Sequence, residues 1–566
     1  MKRIVIPALA LIAAAVAVGV GIAATPASPD PTEVMPAAGP DGAVSNRPIP
    51  ANQSPAHLPS VGVPRPAPLA VTGPGAEFGV HFNGLSFHNQ RRQADGGNQL
   101  SIEPPDQALC VGNGELIEGA NSLFATYDAA TGAQTSGFES MNQFFIGDHQ
   151  IDRSVNPPQY GTYVTDPRCV YDPQSNRFFM SILSFGRDPS TGAFHGPGTI
   201  RLAASRTGTP TTSPSDWSFT TIDVTNPSHP GCPCFGDQPL LGLDANGVYL
   251  TTNEFPINGP GFNGAQIYAI GKAALVAGTT PHIVRIEGAP IASSGYGGIF
   301  PYSLQPATSP SAADYVTANG GTEYLVGALG SQLDNRIAIW TLTNTSSLNS
   351  ATPDLHVSDA VVSSEVYGFP PAIVQPNGPT PVADSLKQHE NLLDGGDDRM
   401  QAAVYAHGKL WAAGDTIVKT PVGSSQVGTA YYMIDPSAPA VVKQGYLSVR
   451  GDSVTRPSLG VTSAGKVVVG VTLAGPDYFP SAAYATLDDS AGSAPAALAV
   501  AAAGPVPADG FTGYSSFQGS GVERWGDYGY AAADGNAVWV ANEWIPGLAT
   551  APDIANWSTF VSRVTP

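Results

Sequence analysis

Short apolar strings separated by turn residues run through most of the chain after residue 78. The strings are fully apolar or alternate apolar with polar residues, and Asp, Asn, Gly or Ser bound them. This pattern predicts strands rather than helices. The clearest stretch, ERWGDYGYAAADGNAVWVANEW from Glu523 to Trp544, places a polar head before two short strands joined by an Asp-Gly-Asn turn.

Weaker copies of this unit precede it along the chain, which is the signature of a repeat architecture. Each copy has a polar head, a short apolar strand, a tight turn, a second strand and a third strand that carries an aromatic residue. The heads of the six earlier copies begin at Pro104, Thr165, Phe235, Tyr302, Asp397 and Val454. The unit at Tyr302 is the weakest copy, and STFVSRV at 558–564 completes the seventh.

Seven such units predict an all-β protein with a single seven-bladed β-propeller. Six blades with an irregular insertion at the fourth position are the alternative. The heads are roughly 60 to 90 residues apart, which exceeds the usual propeller period of about 40 to 50 residues, so long insertions must decorate the faces. An isolated strand, Gly79 to Phe87, precedes the first head, and we expect it to pair with C-terminal strands and close the ring.

The N-terminal residues have the pattern of a signal peptide. Lys2 and Arg3 form a basic region, and an Ala- and Val-rich apolar run follows from Ile4 to Ala24. We expect cleavage after residue 23 or 24, and an uncleaved N-terminal anchor is the alternative. Residues 25–77 are dense in Pro, Ala, Ser and Gly and predict an extended, disordered linker. The predicted organisation is a signal peptide at 1–24, a linker at 25–77 and a propeller domain at 78–566.

Composition narrows the range of partners. Charged residues make up 12% of the chain, Gly and Pro number 64 and 53, and the net charge is −20. A protein with this net negative charge is repelled by the phosphate backbone of nucleic acids, so we exclude nucleic acid as a partner. We expect a monomer that is exported to the cell envelope or the extracellular medium and has no membrane contact beyond its N-terminal segment.

Four cysteines, an even number, fit the oxidising compartment that export implies. They are Cys110, Cys169, Cys232 and Cys234. Structural zinc sites usually use pairs spaced by two to four residues, and this chain has only one close pair with a single residue between, so disulfides are favoured. Three pairings are open. We favour Cys110 with Cys169 and Cys232 with Cys234, because the first two lie at similar points of successive repeats.

Charged residues recur in the repeat heads, where the innermost strand of each blade begins beside the central channel. Two interpretations follow. Carboxylates and guanidinium groups pair with one another and hold the blades together, or they bind a ligand at the channel mouth, such as an acidic sugar or Ca²⁺. The candidate rim residues are Asp106, Asp166, Arg168, Asp237, Asp398, Arg399, Arg456, Arg524 and Asp527.

A second acidic cluster, HENLLDGGDDR at 389–399, contains Glu390, Asp394, Asp397 and Asp398. Its oxygens suit Ca²⁺, but the spacing is not that of an EF-hand loop, and a solvated loop is the simpler interpretation. No other cofactor is indicated. The chain contains no G-x-S-x-G elbow between a strand and a helix, no H-E-x-x-H and no Walker pattern.

Runs such as EPPDQALCVGNG, TDPRCVYD, CPCFGDQPLLG and RWGDYGYAAADGNAVWVANEW resemble those of secreted bacterial proteins of the sialidase-like, or neuraminidase, superfamily that have no established activity. The resemblance covers most of residues 79–566 and implies a propeller in the envelope or outside the cell. It carries no catalytic residue over, because the Arg-Ile-Pro segment and a clean Asp box of that family are absent here.

Three functions are therefore compatible with the sequence. The leading prediction is an exported module that binds a glycan or a surface protein through the channel-mouth face. The first alternative is a glycoside hydrolase that uses a pair of carboxylates from Asp106, Asp166, Asp237 and Asp527. The second alternative is a structural envelope component.

Overall fold

The computed structural model describes residues 61–229, 231–257, 261–293, 301–329, 333–421 and 423–566. The predicted signal peptide and the first part of the predicted linker lie outside these residues. Within the described part, no helix is long and apolar enough to cross a membrane.

The described residues form seven antiparallel sheets that are arranged as the blades of a β-propeller, as the sequence predicted. Each blade has four strands ordered from the channel outward, and blade 6 has a fifth strand at its outer edge. The strands of blade 1 are Gln107–Gly112, Glu115–Ala120, Leu123–Asp128 and Glu139–Ser140. Those of blade 2 are Tyr163–Asp172, Arg177–Arg187, Phe194–Ser205 and Trp217–Asp223. Those of blade 3 are Cys234–Leu243, Gly247–Pro256, Ala265–Gly271 and Ile283–Ile286.

The remaining four blades follow the same order. The strands of blade 4 are Tyr302–Pro306, Thr322–Ala328, Asp334–Thr343 and His356–Tyr367. Those of blade 5 are Met400–Ala406, Lys409–Lys419, Ser425–Asp435 and Ala440–Leu447. Those of blade 6 are Ser453–Val461, Lys466–Gly475, Tyr478–Asp488 and Ala497–Ala502. Those of blade 7 are Tyr530–Asp534, Ala537–Trp544, Ser558–Val564 and Phe78–Ser86.

The innermost strands of neighbouring blades contact one another around a closed ring, and those of blades 7 and 1 meet as well. Both faces of the inner strands are covered by adjacent blades, which explains why many apolar strings in the sequence do not alternate. In the second strand of blade 6, for example, all residues from Val467 to Leu473 are buried. The core therefore lies between the blades as clusters of aliphatic and aromatic side chains.

The ring is closed by the strand Phe78–Ser86, as the sequence predicted. It is the outermost strand of blade 7 and pairs antiparallel with Ser558–Val564, so that Phe78 lies opposite Val564 and Ser86 opposite Ser558. Leu85 of this strand is fully buried. Residues from the two ends of the propeller thus share one sheet.

The propeller also extends further towards the N-terminus than the predicted boundary at residue 78. The strand Ala70–Thr72 pairs in parallel with Ala497–Ala502 and becomes the outer edge of blade 6. Lys419 N donates to Pro64 O at 2.9 Å, so this part of the predicted linker lies against the blades.

Each innermost strand begins at one end of the channel, here called the mouth face, and every connection between consecutive blades returns to that face. The longest of these segments are 368–399, 503–529, 141–162 and 87–106. They contain short strand pairs and short helices, as do other loops. The described short elements are Asn89–Gln93, Ala94–Gly97, Met141–Phe145, Ile151–Asp152 with Gln159–Tyr160, Pro214–Asp216, Lys272–Ala277, Ala312–Asp314, Ala318–Gly320, Thr345–Asn349, Pro381–Leu386, Leu392–Leu393 with Val522–Glu523, Phe511–Gly513 and Ser515–Phe517.

Two disulfides join Cys110 to Cys169 and Cys232 to Cys234, which is the pairing favoured from the sequence. The first connects the innermost strands of blades 1 and 2, and both of its cysteines are 1% exposed. The second lies at the entry to blade 3, on the mouth face.

Candidate functional site

The innermost strands share an irregularity near their first residues. In blades 2, 3, 4 and 6 the register with the second strand slips there. A left-handed backbone occurs at each slip, which costs an L-residue about 1–2 kcal/mol, and such bulges re-aim side chains. The left-handed residues are Asp166, Gln238, Ser303 and Arg456, with φ of 56°, 47°, 54° and 54°, and Asp106, with φ of 46°, precedes the innermost strand of blade 1. The repeat therefore encodes a strained backbone at the mouth as well as charged side chains.

Most of the predicted rim residues are buried. The buried ones are between 2% and 9% exposed, and they are Asp106, Asp166, Arg168, Asp237, Asp398, Arg399 and Arg456. The side chains of Arg524 and Asp527 are 18% and 21% exposed. The last two residues therefore form the accessible part of the predicted rim.

Arg168 connects three blades. Its Nε donates to Pro239 O at 2.9 Å in blade 3, and its guanidinium carbon lies 3.3 Å from the centre of the Tyr528 ring at the start of blade 7. A desolvated arginine over an aromatic face contributes about 2 kcal/mol. Arg168 therefore holds the framework of the mouth together.

Arg399 has the same role on the opposite side of the mouth. Its Nε donates to the two carboxylate oxygens of Asp397 at 2.7 and 2.8 Å, and its Nη2 donates to Tyr302 Oη at 3.1 Å. Its Nη1 donates to Gln238 Oε1. Burial works against the charge, but Asp397 and Tyr302 raise the pKa of Arg399, so the guanidinium stays charged. Blades 3, 4 and 5 meet at this side chain.

Arg456 reaches into the opening stretch of blade 7. Its Nε and Nη2 donate to Trp525 O at 2.8 and 2.5 Å. Its backbone N donates to Asp415 Oδ1 at 3.0 Å, and its Nη1 is 3.6 Å from Asp415 Oδ2. Burial raises the pKa of Asp415 to about 7, against the effect of Arg456. The sequence analysis missed Asp415, and a lone acid within the strand KLWAAGDTIVK was the signal that could have identified it.

Asp106 and Asp527 contact each other at the mouth, and their pKa values are shifted in opposite directions. Asp527 N donates to Asp106 Oδ1 at 2.7 Å, and Arg524 Nη2 is 3.3 Å from Asp527 Oδ2. Burial, then the carboxylates of Asp527 and Asp166, raise the pKa of Asp106 well above its usual value. Burial also opposes ionisation of Asp527, but the guanidinium groups of nearby arginines hold its pKa below the usual value; these are Arg524, Arg399 and Arg456. The pKa values of the two carboxyl groups are therefore shifted in opposite directions.

Asp398 lies away from the other predicted rim residues. Asp398 and Arg399 lie in a bend that precedes the innermost strand of blade 5. Arg399 pairs with Asp397 at the mouth, whereas Asp398 is only 2% exposed. Burial raises the pKa values of Tyr367 and Tyr432 in blades 4 and 5, and Asp398 makes a smaller contribution to both shifts. Neither carboxyl oxygen of Asp398 accepts a hydrogen bond from another described residue, and burial raises its pKa well above the usual value.

Two acids of the cluster at 389–399 lie next to arginines. Asp397 pairs with Arg399, and Asp394 Oδ2 lies 3.6 Å from Arg456 Nη2. Among the described residues, three potential metal ligands come together only at His229, Cys232 and Glu254. Cys232 is part of a disulfide there, so the group offers two metal donors and not three.

The chain was compared with known proteins. No protein-family model matches it, and no curated protein matches its sequence. A GH93 α-L-arabinofuranosidase of Fusarium graminearum, solved with arabinobiose, is 12% identical over 73% of this chain and 98% of that one, with a TM-score of 0.33. The phage phi92 endosialidase is 9% identical over 81% of this chain and 67% of that one, with a TM-score of 0.30. These values carry no functional argument, and the propeller is shown by the sheets themselves.

A cavity of about 230 Å³ lies at the end of the channel opposite to the mouth. The turns that follow the innermost strands of blades 1, 2 and 7 line it, together with residues of blades 4 to 6. Its polar groups include Asn113, Tyr171 and Asp534. The sequence analysis missed this cavity, because its existence depends on the radius of the ring and not on any motif.

Proposed function

We propose that this protein is an exported propeller that binds a glycan at the mouth face through Asp527 and Arg524. The observation that carries the proposal is that these two charged side chains remain partly exposed above a rim whose other members are buried. A binding site is effective when its groups are fixed before the ligand arrives. Arg399 and Arg456 are held in place by their own hydrogen bonds. Both guanidinium groups lower the pKa of Asp527, so the charges around its carboxylate are fixed before a ligand binds.

The chemistry of the two exposed groups suits a sugar. An ionised carboxylate accepts hydrogen bonds from hydroxyl groups, and a guanidinium group donates to ring oxygens, hydroxyl groups or the carboxylate of an acidic sugar. The net charge of −20 argues against nucleic acid as the ligand. The two disulfides support export, because disulfides persist in oxidising compartments. Assignment to the sialidase-like superfamily remains part of the proposal, as do the monomeric state and a surface-protein partner.

A glycan array followed by calorimetric titration, with and without Ca²⁺, tests the proposal. We expect Asp527→Asn and Arg524→Gln to weaken binding on the order of 10-fold or more, since each removes a charge-assisted hydrogen bond. Asp534→Asn is the matched control, because it removes an acid at the opposite end of the channel. If only Asp534→Asn loses glycan binding, the ligand binds in the cavity at the opposite end of the channel. If neither the unmodified protein nor any variant binds a glycan, the binding proposal fails and a structural envelope component is the remaining function.

Glycoside hydrolysis is the second candidate, and the opposite pKa shifts of Asp106 and Asp527 favour it. A glycosidase uses two carboxyl groups whose pKa values differ, and the pKa values of this pair are shifted in opposite directions. A panel of chromogenic glycosides tests this function. Turnover that is lost in both Asp106→Asn and Asp527→Asn, with a bell-shaped pH profile in the unmodified protein, would replace the binding function by the enzymatic one.

A further inference from the structure

The disulfide between Cys232 and Cys234 encloses a single residue, Pro233. It lies on the mouth face, where the chain enters the innermost strand of blade 3. Cys232 is partly exposed, whereas Cys234 is completely buried. Cys232 is therefore the more accessible of the two cysteines, and Cys234 is sheltered.

This disulfide contributes little to stability compared with the other one. In the chain-entropy model, the stabilisation by a disulfide increases with the logarithm of the number of residues in the loop that it closes. The 59-residue separation of Cys110 and Cys169 corresponds to about 4 kcal/mol, while the separation of two residues corresponds to less than about 2 kcal/mol. Stability alone gives little reason to place a disulfide at this position.

Polar side chains converge on the two sulfur atoms. Glu254 is 0% exposed, and its Oε1 lies 3.6 Å from Cys232 Sγ. The same oxygen contacts His229 Nδ1 and accepts a hydrogen bond from Asn263 Nδ2 at 2.9 Å. Asn263 Nδ2 also lies 3.4 Å from Cys234 Sγ. A disulfide that only stabilises the fold has no use for a buried carboxylate and an amide donor at its sulfurs.

We propose that the Cys232–Cys234 disulfide is a thiol–disulfide exchange site that oxidises the dithiol of a protein or peptide substrate. Its parts are an exposed sulfur for attack, a buried sulfur as the leaving group, and Glu254, His229 and Asn263 as positioning residues. This activity is independent of glycan binding and of the residues of the rim.

The exchange proceeds in two displacements. A substrate thiolate attacks Cys232 Sγ, a bond forms between the two sulfur atoms, and the bond between Cys232 and Cys234 breaks. Cys234 leaves as a thiolate that accepts a hydrogen bond from Asn263. The second substrate thiolate then attacks the substrate sulfur of the mixed disulfide and releases Cys232 as a thiolate. The substrate dithiol becomes a disulfide, and the two protein thiolates take up the two protons that the substrate lost.

The first test uses the unmodified chain and dithiothreitol as the dithiol. The reaction is quenched with a maleimide at successive times, and the alkylated cysteines are quantified by mass spectrometry. We expect Cys232 and Cys234 to be reduced on the order of 100-fold faster than the internal control, Cys110 and Cys169, because a buried disulfide reacts only after local opening. Equal rates for the two disulfides would overturn the proposal.

The second test identifies the attacked sulfur. Cys234→Ser leaves the exposed thiol, and Cys232→Ser leaves the buried one. With glutathione disulfide as the probe, we expect the Cys234→Ser protein to form the mixed disulfide on the order of 10-fold faster. A faster reaction of the Cys232→Ser protein would contradict the proposed order of attack.

The third test asks whether Glu254 acts on the chemistry. His229 and Glu254 are the titratable groups that the structure places against Cys232, and a neighbouring carboxylate disfavours a thiolate. In the Cys234→Ser background, Glu254→Gln should move the pH midpoint of Cys232 alkylation downward by about one unit. Superimposable pH profiles would show that Glu254 has a structural role only and would refute its assignment as a positioning residue.

Discussion

Ring closure depends on a buried carboxyl group whose ionisation should be visible in the stability of the whole protein. Glu118, in the second strand of blade 1, is 0% exposed. Its Oε1 accepts hydrogen bonds from Leu85 N of the closing strand at 3.4 Å and from the hydroxyl of Thr559. Gly84 is required beside it, because a Cβ there would lie 2.4 Å from Glu118 Oε1. Burial raises the pKa of Glu118 from 4.5 to about 7.

The sign of the effect follows from proton linkage. Between pH 4.5 and 7 the folded protein holds the Glu118 proton more tightly than the unfolded chain does, so the free energy of unfolding falls as the pH rises. The Glu118 contribution is fully present below the unfolded pKa and is lost above the folded pKa. Between pH 5 and pH 7 the loss is about 2 kcal/mol, and at pH 8 the total loss is about 3 kcal/mol.

Glu118→Gln keeps an oxygen acceptor for Leu85 and Thr559 and removes the charge. We expect this variant to be more stable than the unmodified protein by about 1 kcal/mol at pH 5 and by about 3 kcal/mol at pH 8. Guanidinium unfolding followed by tryptophan fluorescence at pH 5, 6, 7 and 8 measures the difference, in which the contributions of other buried acids cancel. Glu287→Gln, at an exposed acid, is the control. Parallel stability curves for the unmodified protein and Glu118→Gln would refute the reasoning.

Three further predictions concern the fold. Deleting residues 79–88 removes the outer strand of blade 7 and should greatly lower the melting temperature; an unchanged value would show that the strand is dispensable. Replacing Cys110 and Cys169 by Ala should lower the free energy of unfolding by about 4 kcal/mol, whereas the same change at Cys232 and Cys234 should cost less than about 2 kcal/mol, as measured by chemical denaturation. Asp398→Asn removes a buried carboxyl whose pKa is raised, so it should increase stability at pH 8; a decrease in stability would indicate a partner that the contacts do not show.

The blade architecture was predictable because each blade repeats the same local signals. Every predicted head opens an innermost strand, including the weak one at Tyr302, and the isolated strand before the first head closes the ring. Turn residues and apolar strings are local properties, so the sequence displays them directly. The strand Ala70–Thr72, within the predicted linker, did not stand out in the sequence because it has only three residues and lies close to prolines.

The site was less predictable because its contacts join residues that are far apart in the chain. Asp415 lies in a strand that is otherwise apolar, and its partner Arg456 comes from the next blade. Asp398 and Arg399 are adjacent in the sequence, but only Arg399 pairs with a carboxylate at the mouth. The conformation of the bend that contains both residues decides which of the two charges reaches the mouth.

The pairing of Phe78 with Val564 also sets the order in which the molecule is assembled. Almost the whole domain must be synthesised before the strand Phe78–Ser86 meets its partner, and at about 5 to 20 residues per second this takes on the order of a minute. Contacts between such distant residues are slow to form. Until then the first strand has an unpaired edge and an uncovered Leu85, which makes it a natural target for chaperones during biogenesis.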